Sequence, residues 1–241
     1  MSSPAFTDVG RNTEKSTIIV EEDKRRILTA ANDIFHCLAR GNVTGVLVGG
    51  AAALIHGQQR ITKDLDINVE SFPPFNDDDL PAGHSIRVYN QSDDMRKLKH
   101  TSPSLHMQSK ITCDLSTRKV NADSDFDLYK NYSVLTEGAV RIRYAGLYLL
   151  LADKIATVVR RTIISKVQTD CHDITFCLEE IARSEENPKM PQELKKLYTQ
   201  QDWENACGHL ATYCEDHADD PGAYVDLVFI ARTICVPHTP P

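Results

Sequence analysis

Three aspartates and a pair of glycines carry the chemistry that the sequence offers. Asp64 and Asp66 stand two apart in Thr62-Lys63-Asp64-Leu65-Asp66-Ile67-Asn68. In a strand that spacing projects both carboxylates from one face and turns Leu65 and Ile67 to the other. Two acids side by side repel unless a cation lies between them, and hard carboxylate oxygens suit Mg²⁺, which keeps several waters and takes phosphate oxygens as further ligands. The pair alone is a weak signal. Asp125-Phe126-Asp127 has the same spacing within a polar stretch, with no glycine turn before it, and reads as solvated loop. Gly49-Gly50 sets the first pair apart. It lies where an apolar run hands over to a helix-favouring one, so bare backbone amides there can approach a phosphate at the helix N-terminus, although a plain tight turn has the same composition. Asp114 shares one face of Ile111-Thr112-Cys113-Asp114-Leu115-Ser116 with Thr112 and Ser116. It either completes a ligand set from a neighbouring strand or is a solvent-facing acid on an edge strand, and the pattern accommodates both.

The elements that must position these residues follow from hydrophobic periodicity. Ile27, Leu28, Ala31, Ile34, Phe35 and Leu38 recur at helical spacing, which predicts an amphipathic helix over 21–40 that stops at Gly41-Asn42. A strand is expected over 45–48, a glycine turn next, a helix over 51–55, and an alternating strand over 61–70 that ends in a loop at Phe72-Pro73-Pro74. Two further strands are expected at 85–89 and 110–116, and a last pair at 133–135 and 140–143 after an acidic, polar stretch. Beyond Tyr144 the pattern is helical, over 147–161 and 170–182, with weaker segments around Leu194 and over 203–215. The fold class expected is α+β. Residues 1–20 read as a disordered tail, 21–143 as a mixed-sheet domain with flanking helices, and 144–241 as a helical domain.

Two charged residues of the helical half fall on apolar stripes. Lys154 lies among Leu147, Leu150, Leu151, Ile155 and Val158; its stem can snorkel to the edge of the stripe, or its ammonium can point between domains at a polyphosphate. Asp170 points along the stripe of Ile174, Cys177 and Ile181, and an acid in the first turn of a helix is also favoured by the dipole. Cys171, His172 and Asp173 are sequence neighbours on a helix and face different directions, so they form no catalytic dyad.

Composition narrows the classes. The 241 residues are 41% hydrophobic, enough for a buried core. No apolar run reaches the 18 residues that a membrane helix needs, and the polar start of the chain lacks the apolar core of a secretion signal; a cytoplasmic, reduced setting with no membrane partner is expected. None of the seven cysteines forms a C-x-x-C pair and all are expected to be reduced, so zinc is not expected in this protein. A net charge of -7 argues against broad electrostatic binding of nucleic acid. A local basic path through Arg87, Arg96, Lys97, Lys99, Arg160 and Arg161 stays open, with a solvated charged face as its alternative.

Taken together, Val48-Gly49-Gly50-Ala51-Ala52 and His56-Gly57-Gln58-Gln59-Arg60-Ile61-Thr62-Lys63-Asp64-Leu65-Asp66-Ile67 resemble the signature of the polymerase-beta-like nucleotidyltransferase superfamily. Residues 150–160 and 169–174 are similar to later motifs of its AbiEii-type branch, and the resemblance spans roughly residues 45–178. It implies a nucleotidyltransferase fold followed by helices. It also implies Asp64, Asp66 and Asp114 as metal ligands, Gly49, Gly50, Arg60 and Thr62 at the nucleotide, Lys154 on phosphate, and Asp170 or Asp173 shaping the site. The cofactor implied is Mg²⁺, with Mn²⁺ as the alternative ion. The reaction implied is transfer of a nucleoside monophosphate from an NTP to a hydroxyl of RNA or tRNA, a protein or a small molecule, with release of pyrophosphate. A non-catalytic relative that binds nucleotide or a partner, and a metal-dependent phosphohydrolase, are the rival readings. Oligomeric state is not legible.

Overall fold

A computed structural model describes residues 9–60, 62–103, 109–117, 132–137, 140–217 and 230–235. The stretch with Asp125-Phe126-Asp127 lies outside the described residues. The first helix, α1, spans Val9–Arg40 and is followed by β1 (Gly45–Val48), α2 (Gly49–Ile55) and β2 (Asp64–Val69). Next come β3 (Ser85–Gln91), β4 (Met95–Ser102), β5 (Ser109–Ser116), β6 (Tyr132–Glu137) and β7 (Val140–Ala145). The helices α3 (Leu147–Val158), α4 (Ile164–Ser184), α5 (Gln192–Lys195) and α6 (Gln200–His217) complete the order, with a further helical segment at 230–235. α1 begins earlier than its apolar spacing indicates, because the regular stripe starts only at Ile27.

The seven described strands form one sheet in the order β3-β4-β5-β2-β1-β7-β6. β1 pairs antiparallel with β2 and parallel with β7, whereas β2 pairs parallel with β5, so the sheet is mixed. One face is apolar: Leu65, Ile67, Leu98, Cys113, Leu115 and Ile142 pack there against Ile27, Ile34 and Leu38 of α1. The α3–α6 helices pack around a second cluster that includes Leu150, Ile155, Ile174, Cys177, Trp203 and Leu210, joined by Ala52 and Ala53 of α2 and Ala145 of β7. α2 therefore bridges the two clusters, since its Ala51 and Leu54 belong to the first.

β4 is absent from the sequence reading, and its composition explains why. In Met95-Arg96-Lys97-Leu98-Lys99-His100 only Leu98 is a strong apolar marker. The alternation is nonetheless present: Leu98, His100 and Ser102 are buried, while Lys97 and Lys99 lie on the opposite face. His100 tolerates burial because Asp33 of α1 accepts a hydrogen bond from its Nε2 at 2.6 Å, and another from His84 Nδ1 at 2.6 Å. Burial disfavours the charge on Asp33, but these hydrogen bonds and the imidazole field outweigh it and hold the carboxyl below its usual range.

Candidate active site

The face of the sheet opposite α1 gathers the acids. Along β2 the side chains alternate, Asp64 exposed, Leu65 buried, Asp66 half-buried and Ile67 buried, because one face is committed to the core. The parallel register sets Asp64 against Thr112 and Asp66 against Asp114 on β5, strands that lie about 4.8 Å apart. β5 sits between β4 and β2, so Asp114 is not on an edge strand. Across its other side, Asp114 pairs with Lys97, whose Nζ donates to Asp114 Oδ2 at 2.9 Å.

The carboxylate row is short of positive charge. Burial, followed by repulsion from Asp64 and Asp114, pushes the Asp66 carboxyl up to about 6, against a smaller opposing pull from Lys154. Asp153 adds to that repulsion and is itself raised by burial. It lies on α3 next to Lys154, and no spacing in the sequence ties it to the acids of the sheet. An acid whose field lacks a counter-cation is an electrostatic fit for a divalent ion.

The glycines are required by close approach. Gly49 has φ +63, and a Cβ there would meet Asp66 Oδ2 at 2.6 Å. A Cβ on Gly50 would collide with the Arg60 guanidinium and lie 3.1 Å from Thr62 Oγ1. The sequence places a turn before the helix; here both glycines already belong to the first turn of α2. Gly49 thus lies against Asp66, and the adjacent Gly50 lies against Arg60 and Thr62.

Lys154 and Asp170 are positioned differently. Lys154 Nζ donates to Asp170 Oδ1 at 2.7 Å and stands 2.8 Å from Asp173 Oδ2. Arg60 closes one end of the network with a two-pronged pair to Asp173, at 2.7 and 2.9 Å, and Arg161 Nε closes the other on Asp170 at 2.9 Å. The ammonium is therefore buried between α3 and α4 and engaged by two carboxylates. Burial opposes its charge, yet Asp173 and Asp170 outweigh that and raise it above the usual lysine range. Asp170 lies well inside α4, which starts at Ile164, so its burial reflects these ion pairs and not a first-turn preference. Asp173 is the hub that ties the Arg60 loop to the helices. His56, within the same motif, donates from Nε2 to Ala145 O at 2.8 Å and stacks edge-on against Tyr144, which fixes α2 to β7.

No family model and no curated protein matches the chain. Among solved structures, it is similar to an antigenic nucleotidyltransferase-like protein from Paracoccidioides brasiliensis, at 15% identity and a TM-score of 0.58, covering 88% of this chain and 94% of that one. It is also similar to JHP933 from Helicobacter pylori, at 17% identity and a TM-score of 0.53, covering 95% and 92%. The fold is thus a nucleotidyltransferase-like α+β fold. No described helix is long and apolar enough to cross a membrane.

Two consequences are measurable. Lys154→Met keeps the apolar stem and leaves Asp170 and Asp173 short of a cation. It should cost about 3 kcal/mol, lowering the thermal midpoint by roughly 6–12 °C; a loss below about 1 kcal/mol would mean that the two arginines suffice. For Asp66, whose folded value near 6 exceeds its unfolded value of 3.8, the metal-free native chain holds a proton that the unfolded chain has lost across that window. Its contribution therefore favours the fold at low pH and is lost as pH rises towards and past 6. Metal-free Asp66→Asn should consequently melt higher than wild type at pH 7.5 and lose that advantage near pH 4. Melting curves at the two pH values test this, and equal midpoints at both would remove the repulsion from the account.

Proposed function

We propose that the chain is a metal-dependent nucleotidyltransferase that moves a nucleoside monophosphate from an NTP to an acceptor hydroxyl. The observation that carries the reading is the carboxylate row: Asp64, Asp66 and Asp114 converge from two parallel strands beside Gly49, with Asp66 raised by burial and by repulsion from its two neighbours. On this reading the three aspartates hold Mg²⁺, or Mn²⁺ in its place. The ion, when bound, screens the triphosphate and favours the ionised form of the attacking hydroxyl. In the transfer a bond forms between the acceptor oxygen and the α-phosphorus, the α–β bridging bond breaks, pyrophosphate leaves, and the acceptor proton passes to solvent or a neighbouring carboxylate.

The remaining residues bind and orient. Gly49 and Gly50 present backbone without side chains beside the row, and Arg60 and Thr62 line the same turn. Lys154, with Asp170 and Asp173, serves this site by fixing the position of Arg60 and by lending positive field to Asp66, in addition to any direct contact with phosphate. The finer assignment to an AbiEii-type branch rests on the motifs at 150–160 and 169–174. RNA or tRNA, a protein hydroxyl and a small molecule are the acceptor classes, and a cytoplasmic setting is part of the proposal.

One observation favours a second reading, a non-catalytic nucleotide- or partner-binding relative: Lys97 already neutralises Asp114 at 2.9 Å. That pair is partly exposed, and such pairs are worth little, so an arriving cation can displace it. Pyrophosphate release from each of the four NTPs with Mg²⁺, in the presence of pooled tRNA and with a self-modification control, decides between them. Wild type should release pyrophosphate with label moving to one acceptor class, and Asp64→Ala plus Asp66→Ala should reduce the rate at least about 100-fold. Saturable nucleotide binding with no pyrophosphate would favour the second reading, and inorganic phosphate as the product would point to hydrolysis. Full activity in the double variant would overturn the site.

A further inference from the structure

The α1 face of the sheet holds a separate donor set. Asp33 of α1, His84 in the loop before β3 and His100 of β4 converge so that one ligand atom from each lies within 4.8 Å of the others. Both imidazoles aim at a single atom, Asp33 Oδ2, at 2.6 Å each, and their rings meet edge to face with centroids 5.8 Å apart. Asp33 and His100 are almost wholly buried, and His84 is 16% exposed.

We propose that these three side chains form a transition-metal site, for Zn²⁺ or an ion of the same class, with one coordination position left open. Donor chemistry separates it from the carboxylate row. Two imidazoles and one carboxylate suit zinc and its borderline neighbours, whereas Mg²⁺ takes oxygen ligands. The donors are imidazoles and not thiolates, so the absence of a cysteine motif does not bear on it. The geometry is close to what an ion needs. Metal–ligand distances of about 2.0–2.1 Å place tetrahedral ligand atoms about 3.3 Å apart, so each imidazole would move about 0.7 Å away from Asp33 Oδ2, and the two imidazole nitrogens, now within 4.8 Å of each other, would settle at a similar spacing.

The donor set borders an open space. Asp33 and His84 line a cavity of about 630 Å³ between α1 and the loop at Pro81. Asn32 lines the same cavity, and its Oδ1 is buried with no hydrogen-bond partner among the described residues, an acceptor available to a metal-bound water. His100 Nδ1 is likewise buried without a partner among the described residues. When Nε2 gives its lone pair to an ion, Nδ1 is the ring atom left to carry the imidazole proton. The bound ion would tie α1 to β4 and to the loop leading into β3.

The test uses the full chain after chelator treatment, titrated with ZnCl₂ and, separately, MgCl₂, by calorimetry and thermal melting. Zn²⁺ is expected to bind one per chain and to raise the melting midpoint. Asp64→Asn plus Asp66→Asn should leave that binding intact, which keeps the site distinct from the carboxylate row. His84→Gln, at the only partly exposed ligand, should weaken Zn²⁺ at least about tenfold while the zinc-free melting midpoint stays near wild type. If His84→Gln unfolds the chain, Asn32→Leu is the second variant: it lines the cavity without ligating and should weaken zinc while leaving the stoichiometry at one. Absence of zinc binding, unchanged affinity in the His84 variant (or in its replacement), or loss only in Asp64 and Asp66 variants would each overturn the proposal.

Discussion

Parallel pairing of β2 with β5 sets Asp66 beside Asp114, and the rest of the site depends on that placement. The arrangement is electrostatically unfavourable without a cation, and it persists because the reverse face of both strands is locked into the core by Leu65, Ile67, Cys113 and Leu115. A one-residue slip of either strand would bury its acids and expose its apolar side chains. The hydrophobic face therefore holds the acidic face in register, and burial together with repulsion between the acids raises the Asp66 carboxyl.

A second set of charges surrounds the row and has the opposite balance. Arg60, Lys154 and Arg161 meet Asp170 and Asp173, so cations outnumber carboxylates in the network. Buried ion pairs of this kind add little net stability, but losing one member leaves an uncompensated charge. Their structural effect is to connect the loop after α2 with α3 and α4, which brings a cationic group from the helices to bear on the acids of the sheet. The glycines belong to the same logic: Gly50 is small so that Arg60 can lie against it, and Gly49 so that Asp66 can.

The two faces of the sheet separate two kinds of donor. Oxygen donors from β2 and β5 face away from α1, and the imidazole-rich group of Asp33, His84 and His100 lies under it. The alternation of side chains along a strand accounts for this: neighbours such as Lys99 and His100 are sent to opposite faces and so to different chemical surroundings.

Much of this protein was determined by the sequence alone. The two-residue spacing of Asp64 and Asp66, the glycine pair at a strand-to-helix junction and the helical stripes after Tyr144 are local patterns, and local patterns are fixed by backbone period. Tertiary structure decided the rest. It made Asp114 an interior-strand partner of Asp66, revealed β4 behind a run of charges, turned Lys154 into a buried counter-ion of Asp170 and Asp173, and gathered Asp33, His84 and His100 from three separate elements. Strand order and the facing of helices are set by which apolar surfaces meet across the whole chain, and no periodicity within a single segment encodes that meeting.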